Sequence, residues 1–186
     1  MNTVKKRLSQ SRATVVLLFC LTFLTAGVRH ADAQTTETIP GTKVTYTFPS
    51  RWKYLKTTDI DDSTRLYLFC YKGKTVYADG DTALPFLRIY VRKNYNQPVS
   101  DLVFERYTLL PYQAVSDYVT GLGLPAKGGM GFVGVYTHPK NKKKYQFHMV
   151  YFKEGNTAVE FRLETTLATY PQMEEEFDKI LKSLTF

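Results

Sequence analysis

Apolar and polar residues alternate most regularly near the end of the chain. The two sets are Val159, Phe161 and Leu163 on one side and Glu160, Arg162 and Glu164 on the other. This period of two predicts a β-strand over 157–164, with one dry face and one wetter face. The strand therefore belongs to a sheet that is covered mainly on one side.

A helical pattern follows this strand. Its apolar residues recur at helical spacing and are Met173, Phe177, Ile180, Leu181 and Leu184. Thr169 with Gln172 matches a capping box, and Pro171 suits a first turn. Burial of five such side chains contributes about 7–15 kcal/mol before any opposing terms. We expect this strand and helix to organise the fold.

The rest of the chain predicts six more strands and a helical passage. The strands are 42–48, 52–56, 65–71, 86–93, 132–137 and 145–153. A helix after Pro98 has an apolar stripe of Val99, Leu102, Val103, Tyr107 and Leu110, and 112–119 adds a second short helix. Short turns join most neighbouring strands. The sequence therefore predicts an α+β sandwich, with a largely antiparallel sheet of about seven strands in the order ββββ-α(α)-βββ-α.

The first 33 residues have the pattern of a cleaved signal peptide. Four basic residues up to Arg12 precede an apolar run over 13–28, and Ala31-Asp32-Ala33 is a small-x-small cleavage site. The apolar run is shorter than the roughly 20 residues that span a bilayer. We expect a mature protein that begins at Gln34, a flexible lead-in over 34–41, and a single domain over 42–186. It would be periplasmic or extracellular, without a transmembrane span.

The two cysteines are interpreted differently. Cys20 does not fit a lipoprotein site, because bulky Phe19 precedes it, so no lipid anchor is expected. Cys70 would be the single cysteine of the mature chain, which excludes an intrachain disulfide. It lies beside Leu66 and Leu68 in a predicted strand and is expected to be a small buried residue.

Removal of the signal peptide also reduces the net charge. The whole chain has 25 basic and 17 acidic residues and a net charge of +8. The predicted signal peptide contains five of the basic residues and one of the acidic residues, so the mature chain has a net charge of +4. Much of that charge lies in Lys140, Lys142, Lys143 and Lys144. A nucleic-acid partner is therefore not expected.

No motif predicts catalysis, a metal or a cofactor. Residues 129–135 match G-x-G-x-x-G, but a strand follows where a dinucleotide site needs a helix. His138 and His148 lack metal-ligand spacing, and Ser116-Asp117 with His138 has no supporting nucleophile motif. The acidic loop 57–63 lacks the glycine and distal glutamate of a calcium loop. The protein is predicted not to be an enzyme.

Two surfaces could bind a partner. Consistent strand alternation would collect Tyr67, Tyr71, Arg88, Tyr90, Arg92, Gln146, His148 and Arg162 on the wetter sheet face. Arginine and aromatic residues are typical of recognition surfaces, although a covering helix could equally make this face a second core layer. Within it, Arg88, Tyr90 and Arg92 are the candidate binding residues. The second surface is the basic turn with Lys142, Lys143 and Lys144.

The chain resembles the PsbP-like group, which shares a fold with the Ran-binding Mog protein and the DcrB-type periplasmic proteins. Residues 44–52 (VTYTFPSRW) are similar to the opening Y-x-F-P-x-x-W of that group. Residues 177–184 (FDKILKSL) are similar to its closing F-x-x-I-L-x-S helix. The resemblance implies the fold over 40–186 and no catalytic motif, since members serve as photosystem subunits, binding adaptors or envelope proteins.

Together these features favour an exported, noncatalytic binding or accessory module of the cell envelope. Its partner would be another envelope protein or a small ligand. Two alternatives remain open at this stage, namely a small hydrolase with an unrecognised site and a carrier of a small apolar ligand.

Overall fold

Strands dominate the structure, a computed structural model that describes residues 34–73, 75–76, 80, 82–109, 112–114, 119–120 and 129–186. The strands are β1 (Thr35–Thr38), β2 (Thr45–Phe48), β3 (Trp52–Asp59), β4 (Thr64–Tyr71), β5 (Thr75–Val76), β6 (Thr82–Ala83), β7 (Phe86–Arg92), β8 (Tyr112–Ala114), β9 (Val119–Thr120), β10 (Met130–Thr137), β11 (Lys144–Glu154) and β12 (Thr157–Thr166). The helices are α1 (Val99–Leu109) and α2 (Tyr170–Lys182).

The main sheet has the strand order β3-β4-β7-β12-β11-β10-β8, and β9 also pairs with β10. Two small sheets, β1-β2 and β5-β6, accompany it. Every strand pair within the described residues is antiparallel. The predicted α+β fold with a largely antiparallel sheet is thus confirmed. Residues Gln34–Phe186 form one compact unit.

The face of the main sheet that α2 covers, here called the first face, contains the larger core. Val159, Phe161 and Leu163 of β12 point to this side and are completely buried. The predicted helical stripe packs on them, and all five of its apolar residues are buried. Thr169 is the N-cap residue but makes no side-chain capping bond, because its hydroxyl pairs with those of Thr165 and Thr166 instead.

The opposite face, here called the second face, is covered by α1 over β10 and β11. Leu102 and Val103 of α1 are buried there. They pack in a second apolar cluster that includes Phe132, Phe147, Met149 and Tyr151 of the sheet. The sheet is therefore sandwiched between two helices, and β12 at its centre is buried on both sides.

The two sequence segments that resemble the PsbP-like group meet in space. Ser183 Oγ, just after α2, accepts a hydrogen bond from the Thr47 amide at 2.8 Å. Next to it, Thr45 and Thr185 exchange backbone hydrogen bonds of 3.0 and 2.9 Å. Phe48 and Trp52 pack in the same first-face core as Phe177. The opening and closing motifs therefore encode one contact region.

Two predictions about local structure are wrong. The lead-in 34–41 is not loose, because it contains β1, which pairs with β2, and the completely buried Ile39. The helix predicted over 112–119 is not formed at either end, because Tyr112–Ala114 pairs with Tyr136–Gly134 as the outer strand β8 and Val119–Thr120 is strand β9. Residues 115–118 lie outside the described residues. In both places pairing with another strand outweighed the local pattern.

Candidate functional site

The predicted wetter sheet face combines residues from opposite sides of the sheet. Arg88, Tyr90, Arg92 and Arg162 lie on the second face, because they are paired in register across β7 and β12 with residues of that side. Tyr67, Tyr71, Gln146 and His148 lie on the first face, where His148 is opposite the core residue Leu163. A shift of one residue in a strand exchanges its faces. That part of the prediction is therefore wrong.

On the second face, a carboxylate lies buried between two arginines. The Glu160 side chain is only 2% exposed, and its Oε1 accepts hydrogen bonds from Arg162 Nε at 2.8 Å and Nη2 at 2.5 Å. Arg106, from α1, brings its Nε to 3.3 Å from Glu160 Oε2. That contact is an ion pair without hydrogen-bond geometry. The pair joins α1 to the centre of the sheet.

Tyr90 completes this cluster as an aromatic spacer. Its ring centroid lies 5.1 Å from the Arg162 guanidinium carbon and 5.7 Å from that of Arg106. Burial opposes the charge on Arg162, but the attraction of the Glu160 carboxylate outweighs it and raises the pKa of Arg162. The charged Arg162 therefore stays beside Glu160, and the contact of Arg106 with the same carboxylate holds α1 in place.

Two further ion pairs flank the cluster. Arg88 Nη1 binds Glu164 Oε2. Arg92 Nη1 lies 3.3 Å from Glu105 Oε2 of α1, and its guanidinium carbon lies 5.1 Å from the Tyr95 ring centroid. The positive charges of these four arginines are therefore nearly cancelled by the negative charges of the three glutamates. This balance suits a helix anchor better than a site for a free anion.

Beside α1, the second face has a partly accessible patch over β4 and β7. Its residues, here called the β4–β7 patch, are Leu66, Leu68, Phe86, Arg88 and Tyr90, all half-buried. Next to the buried stripe of α1, Phe104 points outward and is 66% exposed. Tyr107, which was predicted to belong to that stripe, is 40% exposed. Apolar and aromatic side chains around an arginine are the composition of a protein-binding surface.

Phe104 was missed by the sequence reasoning. It falls outside the helical stripe, and an apolar residue at such a position was the available signal. Leu110, the last residue of the predicted stripe, lies outside the described residues.

The basic turn is a separate surface. Lys140, Lys142 and Lys144 are exposed and Lys143 is half-buried, at the tip of the β10–β11 hairpin. β10 is three strand spacings from β7, so about 14 Å separates these two strands. The tip itself lies in the turn between β10 and β11, beyond their paired residues. The structure does not bring Lys142, Lys143 and Lys144 together with Arg88, Tyr90 and Arg92.

His138 and His148, the two histidines among the described residues, have defined structural contacts. His138 Nδ1 lies 3.3 Å from the Lys140 amide and 3.4 Å from the Asn141 amide, and accepts both hydrogen bonds within the hairpin turn. His148 is buried against α2, 3.3 Å from the Tyr170 hydroxyl, and burial lowers its pKa. Ser116 and Asp117, the other members of the rejected triad, lie outside the described residues.

The acidic loop after β3 is organised around Asp61. Its Oδ1 accepts hydrogen bonds of 2.8 Å from the Ser63 amide and hydroxyl and from the Thr64 amide. Those from Ser63 contribute most to lowering the pKa of Asp61 to about 2. The adjoining cleft of about 60 Å³ has room for about two waters, far less than the roughly 300 Å³ of a small-molecule site.

The free cysteine and the glycine-rich match also have defined positions in the structure. Cys70 is buried and free, as predicted. Gly131 and Gly134 of the G-x-G-x-x-G match lie inside strand β10. Within the described residues, no group of three potential metal-binding side chains is present.

The architecture defines an α+β sheet–helix sandwich of the PsbP-like or Mog type, and comparison with solved structures supports this. LpqN of Mycobacterium tuberculosis, described as involved in cell envelope biogenesis, is 14% identical and superposes with a TM-score of 0.55 over 82% of this chain and 90% of its own. Mog1p, a Ran-binding protein of Saccharomyces cerevisiae, is 9% identical, with a TM-score of 0.52 over 83% of this chain and 96% of its own.

A third structure shares the fold. PA94 of Pseudomonas aeruginosa, a protein of unknown function, is 14% identical and has a TM-score of 0.50 over 82% of this chain and 96% of its own. No family model and no curated protein matches the sequence. These likenesses establish the fold, and function has to be argued from the surfaces. In the part of the chain that the structure describes, no helix is long and apolar enough to cross a membrane.

Proposed function

We propose that this protein is an exported, noncatalytic binding module of the cell envelope whose partner is another protein. The observation that carries the proposal is the β4–β7 patch, an aromatic and arginine-containing surface next to α1, a helix that ionic contacts hold in place and that carries the exposed Phe104. The signal-peptide pattern of residues 1–33 supports export. The description of LpqN as involved in cell envelope biogenesis is compatible with that role.

The surface has the chemistry of a recognition site. Leu66, Leu68 and Phe86 supply apolar area, while Tyr90 and Arg88 add directed polar groups. Arg88 is already paired with Glu164, so little ordering of its side chain is needed when a partner binds. Phe104 is a separate exposed aromatic residue on α1. A partner that covers both elements would bury the aromatic residues at its centre.

Export is tested by the N-terminus of the mature protein. We expect protein recovered from the envelope or medium to begin at Gln34, because the small-x-small motif ends at Ala33. Terminal sequencing or intact mass measurement checks this. A chain that still begins at Met1, or one that begins at a lipid-modified Cys20, would contradict the proposed processing.

Binding is best tested at Phe104, because Tyr90 also contacts Arg106 and Arg162 and its removal would disturb folding. A photocrosslinking residue at position 104, in cells, is expected to capture a protein partner. Phe104→Ala should then weaken binding of that partner by about 2 kcal/mol, roughly 30-fold, if Phe104 is central to the interface. It should change the free energy of unfolding by less than about 0.5 kcal/mol.

Ile60→Ala is the matched control, since Ile60 is also an exposed apolar residue but lies in the acidic loop. It should leave the affinity unchanged. If both variants bind the captured partner as tightly as the unmodified protein, Phe104 is not part of the binding site. If the purified protein instead turns over ester, phosphate or glycoside substrates, the noncatalytic assignment is wrong.

A further inference from the structure

The β10–β11 hairpin tip is a preformed cationic surface. Lys142 adopts a positive φ of 57° in the turn, and its amide donates to the His138 carbonyl oxygen at 2.9 Å. Asn141 Oδ1 accepts a hydrogen bond from the Lys143 amide at 3.0 Å. Together with the two bonds to His138 Nδ1, these contacts fix the turn through its backbone. The exposed lysine side chains are not needed to hold it.

The charge at this tip is not neutralised by nearby described acids. No carboxylate of the described residues lies within ion-pair distance of Lys140, Lys142 or Lys144. By contrast, each of the four arginines in the buried cluster and its flanks forms an ion pair with a glutamate. Uncompensated lysines on a projecting hairpin attract an extended anionic surface.

An exposed apolar residue lies at the same end of the sheet as the lysines. Tyr145 is directly opposite Thr166 in the β11–β12 pair, so Leu167, the next residue, is at the same end of the sheet as the tip. Leu167 is 41% exposed. Tyr136 and Tyr145 are half-buried at the base of the hairpin, and the His138 ring is 6.1 Å from each of theirs.

Two more cations lie at this end of the sheet. Trp52 pairs with Tyr71 across β3 and β4, and the flanking Arg51 and Lys72 are exposed. Lys72 Nζ donates to the Ser50 carbonyl oxygen at 2.5 Å, and Arg51 Nη1 donates to the Tyr71 hydroxyl at 3.1 Å. β3 and β10 are five strand spacings apart, so these cations extend the basic edge over about 24 Å.

We propose that this end of the sheet binds the surface of an anionic lipid bilayer, with the hairpin lysines at the headgroups and Leu167 at the boundary of the acyl chains. Lysines with an interfacial leucine and aromatic residues fit a bilayer surface, which offers both charge and an apolar layer. An acidic protein would need no exposed leucine at this place. The surface is distinct from the β4–β7 patch, so this proposal does not depend on the proposed protein partner.

The test uses residues 34–186, which form a compact unit with their own core, so that the apolar segment 13–28 does not itself bind lipid. Vesicles of equimolar phosphatidylglycerol and phosphatidylcholine are compared with pure phosphatidylcholine by co-sedimentation. Each lysine near an anionic bilayer improves partitioning about fivefold. The triple variant Lys140→Gln, Lys142→Gln and Lys144→Gln is therefore expected to bind the anionic vesicles about 100-fold more weakly.

A second triple variant, Lys43→Gln, Lys56→Gln and Lys93→Gln, removes the same charge from exposed lysines away from the tip. It should lose no more than about threefold, since charges more than about 8–10 Å from the membrane are screened. Leu167→Ser should weaken binding several-fold even at physiological salt, where the charge contribution is smallest. Thermal unfolding confirms that each variant is folded.

Equal losses in the two triple variants would overturn the proposal, because net charge alone would then explain binding. So would an absence of binding to the anionic vesicles. Binding of the unmodified protein to poly-glutamate but not to the vesicles would identify an acidic protein as the partner instead.

Discussion

Phe177→Ala is expected to lower the free energy of unfolding by about 3–5 kcal/mol. The Phe177 side chain is completely buried in the first-face core. Its ring contacts that of His148 edge to face, with centroids 5.0 Å apart. The substitution removes six ring carbons and leaves a cavity between α2 and the sheet. Urea unfolding followed by circular dichroism measures the loss.

Glu175→Ala is the control, because Glu175 lies on the exposed side of the same helix. It should change the free energy of unfolding by less than about 0.5 kcal/mol. Comparable losses for the two variants would mean that α2 does not pack on the sheet through the face described here.

Glu160→Leu is expected to cost about 3–5 kcal/mol, for a different reason. The substitution leaves the buried Arg162 without its carboxylate partner and also removes the partner of Arg106. An unpaired buried charge is much more costly than the pair itself. The same urea titration measures this loss. Glu105→Leu, at the half-exposed pair with Arg92, is the matched control and should cost less than about 1 kcal/mol.

A double variant tests whether charge, and not shape, is responsible. Glu160→Leu combined with Arg162→Met replaces the buried pair with apolar residues, while Arg106, whose side chain is 26% exposed, can turn to solvent. At least half of the stability lost in Glu160→Leu should return. A double variant less stable than Glu160→Leu alone would contradict this and would show that Arg162 stabilises the protein through other contacts, such as that with the Tyr90 ring.

The helices and strands whose apolar residues recur with a regular period were predictable from the sequence. The pattern around Phe161 placed strand β12, and the spacing around Phe177 placed helix α2, because each buries a long apolar series against one partner. The stripe around Leu102 also placed α1. These are local signals in which pattern and tertiary packing agree.

The surroundings of the candidate site were not predictable in the same way. Whether Tyr90 and His148 share a sheet face depends on the register of strands far apart in sequence, which a single sequence does not specify. Glu160 looks like a solvent-facing residue by alternation. It is buried because α1 brings Arg106 over it. Similarly, β8 takes its conformation from its partner β10 and not from its own residues.

The meeting of β2 with the residues after α2 has a consequence for biogenesis. The hydrogen bond between Thr47 and Ser183 joins residues 136 positions apart, and β1 in turn depends on β2. During synthesis β2 can pair with β1, but it lacks its contacts with Ser183 and Thr185 until the residues after α2 are made. Contacts of such long separation form late and slow folding. The contact region of β2 is therefore completed only after the residues that follow α2 have been synthesised.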